Sequence, residues 1–96
     1  MKTGVELIAE ERQEQIEKHG FDVNRDVQIN DSGELTAAAL FVLTGEDNYY
    51  PSSWEEWFRN KLVSKTASTP NPEIERLKIA GALIAAEIDR LQSQLK

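Results

Sequence analysis

Apolar residues recur along the last quarter of the chain at Ile74, Leu77, Gly81, Ile84, Ile88, Leu91 and Leu95, alternately three and four apart. That alternation is the a/d seam of a heptad and predicts one helix from Pro72 to Leu95, long enough to be the spine of a bundle. Asn71 can cap it, and Pro72 suits the first helical position, where a missing N–H costs nothing. Gly81 leaves a gap in the seam where another helix could approach closely. A glycine inside a helix costs roughly 1 kcal/mol against alanine, so packing must offset it. Ala80, Ala82, Ala85 and Ala86 keep the surroundings small, and Glu87 places an acid close to the seam.

The remaining chain reads as shorter elements. Thr3 and Glu6 form a capping box, opening a helix that runs to about His19 and stops at Gly20, a left-handed cap. Val5, Ile8, Ala9 and Ile16 make only a thin apolar face on it. Phe21 to Asn30 lacks a helical period, and Val23, Val27 and Ile29 sit between polar neighbours, so an ordered loop with turn residues Asp22 and Asp26 is expected. Asp31 and Glu34 stand in capping-box relation before a helix from Glu34 to Thr44. The run Ala37 to Leu43 is apolar on most sides, which requires burial, and Gly45 ends the helix. After a loop carrying Tyr49, Tyr50 and Pro51, Ser52-Ser53-Trp54-Glu55 signals a short helix to about Lys65, with Trp54, Trp57, Phe58, Leu62 and Lys61 on one face. Thr66 to Pro72 is a linker.

The fold class expected is therefore all-α: residues 1–96 as a single domain, a bundle of about four helices. At 96 residues one core leaves little margin, and pairing with a second copy would enlarge it. The chain has no cysteine, so neither disulfides nor thiolate metal sites arise. With no signal peptide and no apolar run that could span a membrane, no membrane partner and a cytoplasmic location are expected.

Charge narrows the partners further. The net charge is −6, and residues 1–50 carry 4 Lys/Arg against 11 Asp/Glu. Tight duplex binding rests on neutralising phosphates with Lys and Arg, so duplex nucleic acid is excluded as a partner.

Carboxylates carry the candidate chemistry. No phosphate-cradling glycine loop, dinucleotide fingerprint or HExxH motif occurs, and the serines have no histidine partner. His19, the single histidine, sits at a helix end and reads as a helix-terminus partner. Glu6, Glu10, Glu14 and Glu17 recur at helical spacing, forming either a solvated stripe or the acidic wall of a metal site. Asp31 and Glu34 share a face, either as plain caps or as ligands of Mg²⁺, a hard cation that prefers oxygen. Glu10 or Glu14 from the first helix and Glu87 from the last would complete a cage of inward carboxylates. Trp54 and Trp57 either close the core or offer a wall on which a base stacks.

Asp31-Ser32-Gly33-Glu34-Leu35-Thr36-Ala37-Ala38-Ala39-Leu40 resembles the E-x-G-E-L segment of the all-α nucleoside triphosphate pyrophosphohydrolases, the MazG-like group. The resemblance implies that Asp31 (where Glu is usual) and Glu34 bind Mg²⁺. More of the chain resembles small phage and prophage proteins, through Glu11-Arg12-Gln13-Glu14-Gln15-Ile16-Glu17 with Gly20-Phe21, Gly33-Glu34-Leu35, and Ala80-Gly81-Ala82-Leu83-Ile84 with Ala86-Glu87-Ile88. The two resemblances together imply a MazG-like bundle that assembles as a homodimer or higher oligomer. It would cleave a (deoxy)nucleoside triphosphate to monophosphate and pyrophosphate. To Asp31 and Glu34, the metal ligands that the resemblance carries over, the reading of this chain's own residues adds Glu10 and Glu14 as further ligands, Glu87 beside Glu34 as a catalytic acid, Arg76 or Lys78 as the phosphate contact, and Trp54 or Trp57 as the base stack. One departure stands out. The second acidic pair of the group, E-x-x-D, falls on Lys78 and Gly81 here. The alternative expectation is a helical module that binds a nucleotide or a protein without catalysis.

Overall fold

The computed structural model describes residues 1–20 and 22–95; Phe21, the first residue of the expected loop, lies outside them. Among the described residues five α-helices and one 3-10 turn appear, and no strand. They are α1 (Gly4–His19), α2 (Val23–Ile29), α3 (Glu34–Thr44), the 3-10 turn Asp47–Tyr49, α4 (Glu56–Ala67) and α5 (Pro72–Ser93). The fold is thus all-helical, with one helix more than the four expected. Among the described residues no helix is long and apolar enough to cross a membrane.

Both signals at the ends of α1 act as read. Thr3 and Glu6 exchange the two bonds of a capping box, and Gly20 closes the helix with φ at 69°. The segment expected to be a loop is instead α2, with Asp22 accepting from the Arg25 N–H at 2.8 Å. Its inward face is Val23, Asp26, Val27 and Asn30, a helical spacing concealed because two of the four are polar. Two expected caps are also corrected. α3 starts from Gly33 in the left-handed region, φ 86°, with no side-chain cap from Asp31, while Glu34 reaches back to the Ser32 N–H at 2.8 Å. α4 starts after Glu55, leaving Trp54 just outside the helix, and neither α4 nor α5 receives a side-chain cap.

The core joins α3, α4 and α5: Leu35, Ala38, Ala39, Phe41, Val42, Phe58, Leu62, Ile79, Ala80, Leu83 and Ala86. α5 packs on α1, α2, α3 and α4, so it is the spine. The face it buries is not the seam, however. Glu75, Ile79, Ala80, Ala82, Leu83, Ala86 and Arg90 point inward, while Ile74, Leu77, Ile84, Ile88 and Leu91 are 45–55% exposed and Leu95 is 84% exposed. α5 is therefore apolar on two opposite sides; one is buried in the core, and the other is covered within the chain only at Gly81, by Ile8 of α1.

Gly81 does mark a close approach, and the helix concerned is α1. A methyl placed on Gly81 would stand 2.7 Å from Ile8 Cδ1, the end of a flexible side chain. Gly81→Ala should therefore shift stability by less than about 1 kcal/mol, because the gain in helix preference offsets the displaced Ile8. Gly81→Val, which adds a branch at the same place, should destabilise by roughly 2 kcal/mol. Urea unfolding of the two variants checks both values.

Candidate functional site

The acids of α1 do not converge as one wall. Glu6 is spent in the capping box, Glu10 pairs with Lys2, and Glu17 accepts from Gln13 at 3.0 Å. Glu14 turns instead toward Lys65 of α4, at 3.5 Å, beside Glu11, whose two oxygens each lie 2.9 Å from the same ammonium. Glu75 of α5 completes the group at 3.9 Å and also meets Lys78 at 3.3 Å. Two helices, α1 and α5, thus bring three carboxylates to one lysine on a third, α4. Burial works against the Lys65 charge, but Glu11, then Glu14 and Glu75, prevail and raise its pKa above 10.5. Burial likewise opposes the Glu14 charge, and Lys65 and Lys18 outweigh it and hold its carboxyl below 4.5.

A second group forms between α3 and α5. Arg90 is buried and donates from Nε to Glu87 Oε1 at 2.6 Å, while Glu87 Oε2 accepts from Thr36 at 3.4 Å. The Glu87 hydrogen bond, against the cost of burial, raises the Arg90 pKa, and the charges of Glu87, Asp31 and Glu34 add to it. Three of the expected site acids therefore act on a single guanidinium. In both groups a cation of the chain itself stands among the carboxylates, where a divalent ion would have to bind. Among the described residues no three Asp, Glu or His side chains are placed to hold a metal. Glu10, paired with Lys2, shares no partner with either group.

The two tryptophans come together elsewhere. A cavity of about 590 Å³ opens between the end of α1, α2 and the start of α4, lined by Lys18, His19, Gly20, Arg25, Ile29, Asn30, Ser53, Trp54, Glu55, Trp57 and Phe58. That volume is in the range of small-molecule sites. Phe58 is buried and stacks edge-on with His19 at 5.1 Å, Trp54 at 5.6 Å and Trp57 at 5.8 Å. Trp57 is 57% exposed, so its ring faces the opening rather than the core. Trp54 donates to Asn30 Oδ1 at 2.9 Å, which ties the cavity wall to α2. Arg25 donates to the His19 carbonyl at 2.8 Å and Trp57 donates to Glu55. Burial, followed by the charges of Lys61 and Lys65, lowers the His19 pKa below 6.5, so the ring is neutral at pH 7. The cavity accordingly offers Lys18, which also pairs with Glu14 at 3.5 Å, Arg25, the Glu55 carboxylate, a neutral imidazole and indole faces; the cations and indoles suit an anion with a planar body that keeps clear of Glu55.

Arg76 is in neither group. It lines a separate groove of about 410 Å³ with Phe41, Arg59, Val63 and Pro72, away from the tryptophans, and Lys78 is taken by Glu75. Sequence reasoning missed Glu11, Lys65, Glu75 and Arg90. The one available signal was the pair of i, i+3 spacings, Glu11 with Glu14 and Glu75 with Lys78, on two helices that later face each other. Comparison with protein-family models, with curated proteins and with solved structures found no match for this chain.

Proposed function

We propose that this chain is a helical module that binds a nucleotide, without hydrolysing it, in the cavity between α1, α2 and α4, and that it works as a homodimer. The observation that carries the reading is the cavity itself, where indole faces meet Lys18 and Arg25. A base has a π-face for an indole, and its phosphates would meet the two cations. The absence of catalysis rests on two cations of the chain itself: Lys65 pairs with Glu14, and Arg90 with Glu87, two of the acids that the hydrolase reading would use. The dimer rests on the exposed seam of α5, extended on α3 by Leu40 and Leu43, which are 40% and 43% exposed. Covering two such faces with each other would supply the larger core that a chain of this length lacks.

The Mg²⁺-dependent pyrophosphohydrolase is the second reading. It is favoured by Asp31, Glu34 and Glu87 all acting on Arg90 from one end of α3 and α5. Titration of the indole emission with ribo- and deoxyribonucleoside triphosphates, beside a pyrophosphate-release measurement with Mg²⁺ and Mn²⁺, separates the two. Saturable quenching is expected, weakened about tenfold by Lys18→Glu, with no pyrophosphate released. Pyrophosphate release that disappears in Glu34→Gln would establish the hydrolase instead.

A further inference from the structure

Asp26 is fully buried on α2, the helix that the sequence concealed. Its Oδ1 accepts from the Asn30 amide Nδ2 at 2.8 Å, and Asn30 Oδ1 accepts from Trp54 Nε1 at 2.9 Å. Asn30 is itself 1% exposed, so water does not replace either bond. An amide has a donor end and an acceptor end, whereas a carboxylate can only accept. A charged Asp26 therefore selects one of the two amide orientations, the one that turns the acceptor end toward the indole. The reverse orientation would set two N–H donors against each other at Trp54.

We propose that Asp26 is a positioning residue, which through the Asn30 amide fixes the Trp54 indole as a wall of the cavity. A neutral group at position 26 can donate as well as accept, so only the Trp54 N–H then favours this amide orientation, and the wall is held less firmly. The second carboxylate oxygen, Oδ2, is buried with no hydrogen-bond partner, and a proton can settle there. Charged groups face Asp26 from two helices: Arg12 of α1, which also reaches Asp89 of α5 at 3.5 Å, and Asp22 and Arg25 of α2 itself. Burial, against the Asn30 bond and the Arg12 charge, raises the pKa of Asp26 above 3.8. The effect on ligand binding rests on reading the cavity as the nucleotide site; the orientation of Trp54 does not.

The test uses Trp57→Phe, which leaves Trp54 as the one tryptophan of the chain. Its emission, followed from acid to neutral pH, is expected to change in one step with a midpoint above 3.8, the ordinary aspartate value. Adding Asp26→Asn should abolish the step and hold the emission at the low-pH level, while far-UV circular dichroism stays unchanged. Asn30→Ala should abolish it too, and Asn30→Ser serves if that chain does not fold. The same step persisting in Asp26→Asn, or no step in the parent, overturns the proposal. In chains that keep Trp57, calorimetric titration with ATP should give an affinity about tenfold weaker for Asp26→Asn than for the wild type. Equal affinities would overturn the role in binding. A pH step with no ATP binding to the wild type would remove the nucleotide reading and leave Asp26 as the residue that orients Trp54.

Discussion

On the proposed α5 dimer, replacing Ile84 and Ile88 together by lysine should leave a folded monomer. Both side chains lie on the outward seam of α5, 45% and 49% exposed, and neither belongs to the core. Within one chain the change touches no core residue, and the lysine methylenes can cover what the isoleucines half cover, so helix content and the core should survive it. Between two chains the outcome is different. Burying the exposed half of an isoleucine gains roughly 1 kcal/mol, and each substitution acts twice across a two-fold interface. Like charges facing each other at the centre of the seam add repulsion, so the dimer should weaken by more than about 100-fold. Sedimentation equilibrium gives the mass directly. Retention of the wild-type mass in the double variant, or a wild type already monomeric at high concentration, would refute the α5 interface.

Replacing Lys65 by methionine should have the largest effect on stability of any single change away from the apolar core. Glu11 has a side chain only 4% exposed and depends on Lys65 for both of its oxygens. Removing one partner of such a pair leaves a buried charge uncompensated, a loss of about 3 kcal/mol, which is a large part of the 5–15 kcal/mol that holds a domain together. Urea unfolding at neutral pH measures it. Lys65→Met combined with Glu11→Met should recover most of the loss, since no unpaired charge is then left at the site. The sign with pH follows from the raised pKa of Lys65. Its contribution is complete below the ordinary value of 10.5 and is lost as pH rises through the higher folded value. Wild-type stability should therefore fall in strongly alkaline solution by an amount missing from the methionine variant. A Lys65→Met chain as stable as the wild type would mean that the ion pair contributes nothing net.

A good part of this molecule was legible without coordinates. Helical periods, the Thr3–Glu6 box and the stops at Gly20 and Gly45 are local features, because each depends on residues within a turn or two. They located α1, α3 and most of α4 and α5, and with them the all-helical class. α2 escaped because hydropathy counts Asp26 and Asn30 as surface residues, whereas the fold buries both and bonds Asn30 to Asp26 Oδ1 and to Trp54. Trp54 and Trp57 stood out in the sequence as neighbouring aromatics, but nothing local could bring Lys18 and Arg25 to them.

By itself the sequence determined that α5 has an apolar seam, that acids crowd the first half of the chain, and that helices form nearly throughout. Only the tertiary structure decided that the seam faces outward and that Lys65 and Arg90 sit among the acids. The reason is physical. A periodic pattern records which side of a helix avoids water, but not which neighbour covers it. A charge, in turn, acquires its meaning from partners such as Glu11 and Lys65, 54 residues apart, that only packing brings together.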